Sequence, residues 1–275
     1  MARSREPHLP EVKVSLPDFQ ETSLAALPIK SFGEAVGIIT QRTWYPALIH
    51  GHHNVVTTYD FPVRIKLIEN WRAPKDKWEE WSGWNVSEYI KIAKELESEG
   101  VAAICTNCGL NGTMQEVLAN AVNVPVFTSS LLQVPFVSRS LKKGKKVGIL
   151  TGSARHVRDQ NYKLLRNCGI DASVPCIVKG MDESEDVDLW RSQFVQAMTP
   201  GKSSSAYDPR KVEALMAKEA KKMVSENPDI GAIVLECTEM PLYSAAVQEA
   251  TGLLVFDSST MVRYVYNACV KRHYF

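Results

Sequence analysis

Two short strings recur in this chain, and their spacing constrains the fold more than any other feature. Val36-Gly37-Ile38-Ile39-Thr40 returns as Val147-Gly148-Ile149-Leu150-Thr151, and Val126-Phe127-Thr128-Ser129-Ser130 returns as Val255-Phe256-Asp257-Ser258-Ser259. The second pair is offset by 129 positions, and the same offset carries Cys108 onto Cys237 and Ala103-Ile104 onto Ala232-Ile233. Self-similarity at a fixed spacing means that one structural unit is built twice. Each half reads as a strand ending in Thr, a later strand ending in Cys, a helix, and a strand ending in Ser-Ser.

The segments between these anchors alternate in period. Ala35–Ile39, Val101–Cys105, Val124–Phe127 and Lys146–Leu150 are apolar runs of strand length, and Phe61–Ile68 is strand-like. Ser87–Ser98 places Tyr89, Ile90, Ala93 and Leu96 at helical spacing before the stop at Gly100, and Thr113–Ala121 reads as a second helix. Alternating strand and helix predicts an α/β fold with parallel sheets, because parallel neighbours need crossover helices. The expected organisation is an irregular arm at 1–33, a first lobe at 34–141 and a second lobe at 142–257. The basic run Lys142-Lys143-Gly144-Lys145-Lys146 marks the border. Two stretches break the rhythm: 70–85, which holds Trp71, Trp78, Trp81 and Trp84, and 184–207, which holds Trp190 and a serine run. Tryptophans in such an insertion read first as packing anchors, and second as the cap of a pocket.

In open parallel sheets the functional groups gather at the carboxyl ends of the strands. That rule puts Thr40, Cys108, Ser129 and Ser130 on one edge, and Thr151, Cys237, Ser258 and Ser259 on the other. Two such edges facing each other across a cleft would bring one thiol to each side of a small substrate. Cys108 precedes Gly109 and a helix. Cys237 precedes Thr238 and a helix opened by Pro241 and closed by Gly252. A thiol at a helix start is expected to have its pKa lowered by the dipole and the unpaired N–H groups, and the same groups can hold a carboxylate. A thiolate on one face takes a proton and a thiol on the other gives one, with no metal in the reaction.

Other chemistries fit less well. Cys105-Thr106-Asn107-Cys108 is a CxxC with redox or zinc potential, but no second pair has zinc-ligand spacing. Cys105, Cys168, Cys176 and Cys269 read as buried inert thiols. His50, His52 and His53 read as part of a solvated loop. The sequence holds neither a GxGxxG nor a GxxxxGK[ST] loop, so no nucleotide cofactor is expected, and it lacks the GxSxG elbow of a serine hydrolase. A net charge of +1 gives no field to favour nucleic acid or an anionic membrane, and no apolar run approaches the roughly 18 residues needed to cross a bilayer. Six cysteines in 275 residues are not a disulfide framework, so a cytoplasmic protein with free thiols is expected.

Ile233-Val234-Leu235-Glu236-Cys237-Thr238-Glu239-Met240-Pro241 resembles the second-cysteine motif of the aspartate/glutamate/hydantoin racemase superfamily, and Thr106-Asn107-Cys108-Gly109 resembles its first. The likeness runs from about Ala35 to the C-terminus. It implies two pseudo-symmetric flavodoxin-like lobes, each a short parallel sheet flanked by helices, with the active site in the cleft between them. It also implies that the last helix, about 258–275, completes the first lobe, that no pyridoxal phosphate is used, and that the protein is a homo-oligomer. Carried over, Cys108 and Cys237 are catalytic, and Thr40, Gln41, Asn107, Gly109, Ser129, Thr151, Thr238 and Glu239 bind a small carboxylate. An acid after Cys-Thr, here Glu239, is the style of aspartate racemases. The chain departs from amino-acid racemases at Thr40-Gln41-Arg42, where they usually carry an acid and Ser. Retention of both cysteines separates it from arylmalonate decarboxylases. Tyr45-Pro46 with His50-Gly51-His52-His53 and the strand-like Phe61–Ile68 resembles a eukaryotic branch that includes dimethylsulfoniopropionate lyases. The resemblance therefore implies an amino-acid racemase of aspartate type, or a lyase sharing its first proton abstraction. In a lyase the Trp-rich stretch would suit a sulfonium through cation–π contact. A non-catalytic carboxylate-binding protein is the third class, and it predicts no loss when either thiol becomes Ser.

Overall fold

The computed structural model describes residues 35–41, 49–69, 86–195 and 207–271, with the backbone alone at 159–161. The expected arm at 1–33, the tryptophan stretch at 70–85 and part of the serine-containing stretch lie outside the described residues. Strand β1 (Val36–Gln41) is buried at every position. That is the pattern of a parallel strand covered on both faces, and it explains why the run is apolar without alternation. Strands β2 (Val63–Ile68) and β3 (Ala103–Thr106) pair with β1 on either side, and β4 (Val126–Phe127) pairs outside β3, all parallel. The second sheet holds β5 (Lys146–Thr151), β6 (Cys176–Gly180), β7 (Ile230–Leu235) and β8 (Leu254–Phe256), again all parallel. The two orders are β2-β1-β3-β4 and β6-β5-β7-β8, the same topology built twice. The repeat thus maps β1 on β5, β3 on β7 and β4 on β8.

The crossovers are α1 (Val86–Ser98), α2 (Gln115–Ala119), α3 (Gln133–Ser140), α4 (Ala154–Asn167), α5 (Val187–Trp190), α6 (Pro209–Glu226), α7 (Ser244–Thr251) and α8 (Ser258–Cys269). Local chemistry sets their ends. Asp208 accepts the N–H of Arg210 ahead of Pro209 at the start of α6, and Asp257 accepts the N–H of Thr260 to cap α8. Gly252 closes α7 in the left-handed region at φ 68°. The single helix expected over Thr113–Ala121 is instead a 3-10 coil, Gly109–Met114, running into the short α2. The coil starts directly at Cys108 and is pressed on Leu164 of α4 and on Cys168 just after it, whose atoms occupy the space a Cβ of Gly112 would need.

Two helices exchange sheets. Val134 and Val137 of α3 pack with Val147, Ile149, Ala232 and Val234 of the second sheet. Met261, Val262 and Val265 of α8 pack with Val36, Ile38, Ala103 and Cys105 of the first. The basic run at 142–146 therefore follows a helix that already lies on the second core. No described helix is long and apolar enough to cross a membrane.

Candidate active site

In each sheet the chain leaves the central strand for one neighbour and returns on the other side. The switch point lies between β1 and β3 in one lobe and between β5 and β7 in the other. Ligand crevices of open α/β sheets form at the carboxyl ends of such strands. Thr40 and Gln41 end β1, Asn107 and Cys108 follow β3, Ser129 and Ser130 follow β4, Thr151 ends β5, and Glu236 to Glu239 follow β7. The backbone repeats here as well: the N–H of Asn107 donates to Ile39 O at 3.1 Å, and that of Glu236 to Leu150 O at 2.9 Å. The two edges meet. Thr238 Oγ1 donates to Asn107 O, and Ser130 Oγ donates to Leu235 O at 2.7 Å and Glu236 O at 3.1 Å.

Cys108 and Cys237 are both free and half-buried. Burial, then the charge of Glu236, pushes the Cys108 thiol up to about 12, while the N–H groups of Leu110 and Asn111 pull it down and Glu239 adds a smaller push. Cys237 is pushed well above the ordinary thiol range, first by burial, then by Glu236 and Glu239, and further by Cys108. The N–H of Glu239 opposes this. The expected lowering at the helix starts is therefore overturned. The N–H donors are in place, but lost hydration and two carboxyls outweigh them. Both thiols rest protonated, and each is felt by the same carboxyls.

Glu236 supplies one of those carboxyls. It is buried at 3% exposure, and its Oε2 accepts Thr151 Oγ1 at 2.8 Å. Burial raises its pKa to about 7, with the Thr151 bond acting the other way. Glu239 supplies the other, and His52 Nε2 lies 2.6 Å from its Oε2. The N–H of Asn54 donates to His52 Nδ1 at 3.0 Å, which leaves Nε2 as the protonated nitrogen that donates to Glu239. The reading of the histidines as a solvated loop is corrected at two of three positions. His50 is exposed, but His52 and His53 are fully buried. His53 is pushed down to about 3, chiefly by burial, so it is a neutral imidazole, with Tyr59 Oη 3.0 Å from its Nδ1.

The other expected residues fall into two groups. Gln41 and Asn107 are tied into the first lobe. Asn107 Oδ1 accepts the N–H of Gln41 at 2.9 Å, and Gln41 Nε2 donates to Tyr89 Oη at 2.6 Å and to Asn111 Oδ1 at 3.3 Å. Ser129 caps its turn by accepting the N–H of Leu131 at 3.2 Å. Thr151, Thr238 and Glu239 lie at the seam between the lobes, each bonded as described above. Thr40 is buried at the end of β1, and Gly109 packs directly against Glu236. Of the remaining thiols, Cys105 and Cys168 are buried as expected, whereas Cys176 and Cys269 are half-buried. Composition and motif spacing did not single out Glu236, His52, Tyr89 or Asn111 as site residues. The offset of 129 did contain one signal: it sets Glu236 opposite Asn107. Among the described residues no group of three or more His, Cys, Asp or Glu side chains is arranged to hold a metal ion.

Residues 45–262 match the family model described as Asp/Glu/Hydantoin racemase. A dimethylsulfoniopropionate lyase of Durusdinium sp. clade D is 28% identical over 175 residues, covering 63% of this chain and 55% of that protein. Dimethylsulfoniopropionate lyase 7 of Emiliania huxleyi (strain CCMP1516) is 30% identical over 176 residues, covering 62% and 49%. The chain thus spans about half the length of these relatives. Among solved structures, glutamate racemase from Francisella tularensis with D-glutamate superimposes at TM-score 0.51 and 14% identity, over 88% of this chain and 85% of that one. Unliganded arylmalonate decarboxylase superimposes at TM-score 0.51 and 14% identity, over 87% and 94%. These two share the fold.

Proposed function

The chain belongs to the Asp/Glu/hydantoin racemase family, and from that premise we propose that one of its two thiols removes the proton beside a substrate carboxylate, the substrate being dimethylsulfoniopropionate. The observation that carries the reading is the pair Cys108 and Cys237 at equivalent strand ends, with Glu236 and Glu239 acting on both. Two thiols held protonated by burial and by nearby negative charge are ionised more readily when a positive charge is brought beside them. A substrate that brings its own cation supplies it, and the relatives named as lyases of a sulfonium carboxylate support that choice. Cys108 is the abstracting group in this proposal, because two N–H groups point at its sulfur against one at Cys237. Its thiolate takes a proton from C2, the carbon next to the carboxylate. The electron pair forms the C2–C3 double bond, the C3–S bond breaks, and dimethyl sulfide and acrylate leave. Thr40, Gln41, Asn107, Ser129, Thr151 and Thr238, with the N–H groups at Gly109, form the polar rim that receives the carboxylate.

Racemisation is the second reading, favoured by the retention of both thiols in a pseudo-symmetric site. The two are separated by incubating the protein in deuterated water. With dimethylsulfoniopropionate, headspace dimethyl sulfide appears and acrylate accumulates. With aspartate as substrate, optical rotation would decay and deuterium would enter C2 without a new product. Neither signal from any carboxylate tried would sink both readings and leave the binding-protein class.

A further inference from the structure

The two halves of the site repeat in backbone but not in chemistry, and one difference lies directly before the two cysteines. Asn107 precedes Cys108 and Glu236 precedes Cys237, at equivalent places in the repeat. Each donates its N–H to the equivalent carbonyl of the neighbouring strand. The Asn107 amide oxygen bonds inside its own lobe, to the N–H of Gln41. The Glu236 carboxyl crosses the seam. A Cβ placed on Gly109 would stand 2.2 Å from Glu236 Oε1, so the carboxyl lies against the residue that follows Cys108 while being attached to the residue that precedes Cys237. One carboxyl thus neighbours both thiols, held by Thr151 Oγ1 on its other oxygen.

We propose that Glu236 accepts the proton of the abstracting thiol and releases it to water, which gives the site the proton outlet that elimination needs. The proposal rests on the elimination reading above. Racemisation returns its proton to the product, and two equal thiols suffice. Elimination leaves one extra proton on the enzyme in every turnover. In balanced form, the Cys108 thiol gives its proton to the Glu236 carboxylate as the sulfonium binds, the thiolate so formed takes the C2 proton as acrylate and dimethyl sulfide leave, and the Glu236 carboxylic acid loses its proton to water, which returns the protonated thiol and the carboxylate. Burial sets the carboxyl near neutrality, where it can both take and give a proton. The titratable groups coupled to its charge are Cys108 after β3, Cys237 after β7 and Cys168 after α4. Glu239, bonded to His52, acts on Cys108 and Cys237 as well.

The test uses Glu236→Gln, which keeps the side-chain shape and an acceptor for Thr151 but cannot titrate. Dimethyl sulfide release should fall at least ~100-fold, the scale of a lost general base. The acid limb of kcat/KM near pH 7 should disappear. At the same time, iodoacetamide should alkylate Cys108 and Cys237 faster at pH 8, read by peptide mapping, because a charge that holds both thiols protonated is gone. Misfolding would expose every thiol, so the buried Cys105 must stay as unreactive as in the wild type; lower turnover with faster alkylation confined to Cys108 and Cys237 is a combination that misfolding does not produce. Glu236→Asp should retain more turnover than Glu236→Gln, and formate should restore part of the activity of Glu236→Ala. A Glu236→Gln protein that keeps kcat within about twofold and the same acid limb overturns the role of Glu236 alone. Wild-type protein that releases no dimethyl sulfide overturns the elimination reading, and with it the need for a proton outlet. Unchanged alkylation in Glu236→Gln overturns the coupling whatever the substrate.

Discussion

Gly109→Ala is the sharpest probe of how the two lobes close on each other. The added methyl would stand 2.2 Å from both Glu236 O and Glu236 Oε1, and 2.8 Å from the carboxyl carbon. The carboxyl can swing away, but the carbonyl is fixed. Ser130 Oγ donates to it at 3.1 Å, and the same residue's N–H holds Leu150 O at 2.9 Å. Relief requires the coil after Cys108 to back off by roughly 1 Å, toward an ordinary carbon contact of about 3.5 Å. Overpacking of this kind costs about 1–3 kcal/mol. At about 2–4 °C per kcal/mol for a chain of this size, the melting temperature should drop by about 2–12 °C. A shift of roughly 1 Å at Cys108 should cost about 10²-fold in turnover, because the reacting atoms no longer meet. Gly112→Ala is the control. Its methyl would meet Cys168 Sγ at 2.5 Å and Leu164 Cδ1 at 2.7 Å, side-chain ends that can turn aside. It should destabilise, with a smaller loss of turnover. Thermal melts with headspace dimethyl sulfide assays on both variants decide the matter. A Gly109→Ala protein that melts within about 1 °C of wild type and keeps more than about half its activity would show that the lobes do not meet at Glu236 as described.

Cys108→Ser should lower turnover by ~10² to 10⁴, and Cys237→Ser by less if the reaction is elimination but equally if it is racemisation, while Cys105→Ser should be nearly silent; initial rates on the three variants separate the cases. Glu236 has a folded pKa of about 7 against an ordinary 4.5, so its contribution to stability is fully present below pH 4.5 and lost as pH rises through 7. Glu236→Gln should therefore be the more stable protein at pH 8, by up to on the order of 3 kcal/mol, and should lose that advantage below pH 4.5, as urea titrations at the two pH values would record. His52→Ala leaves the Glu239 carboxylate buried without the imidazole N–H, and should cost about 3–5 kcal/mol in the same titrations; a loss below about 0.5 kcal/mol would mean that the pair is not formed in solution. Single replacement of Trp71, Trp78, Trp81 and Trp84 should raise KM for dimethylsulfoniopropionate if any of them stacks on the sulfonium, and no change at all four removes that idea.

The strands, the parallel pairing and the match of one half to the other were legible because each strand is short, apolar and buried against its own helices. A local pattern reports such packing directly. The equivalence of Cys108 and Cys237 was legible for the same reason, since both sit where a repeated strand stops. What escaped depends on the other lobe. Nothing in the amphipathic pattern of α3 says that it will cover the second sheet, whereas α8 lies on the first sheet as the family resemblance implied. His52 looks like a loop residue until a partner 187 positions away buries it. The thiols look activated when each is read with its own helix start, but burial holds both protonated, helped by Glu236 and Glu239, which face Cys108 from the other lobe and flank Cys237 in its own turn.

In a duplicated fold, the seam is where the two halves can come to handle a proton differently. Duplication supplies two equal bases, and an enzyme that must run both ways keeps them equal. A residue that breaks the equality at the seam decides which thiol can pass its proton on. One such break is Asn107 against Glu236, an amide whose oxygen bonds within its own lobe against a carboxyl shared by both thiols. Replacing Asn107 by Glu while making Glu236 into Asn would invert the asymmetry without changing the total charge. If the carboxyl decides which thiol passes its proton on, the inverted protein should move the proton outlet to the other lobe and shift the stronger alkylation response from one cysteine to the other. If the pattern of alkylation stays as in the wild type, the asymmetry at this position has no hold on the thiols.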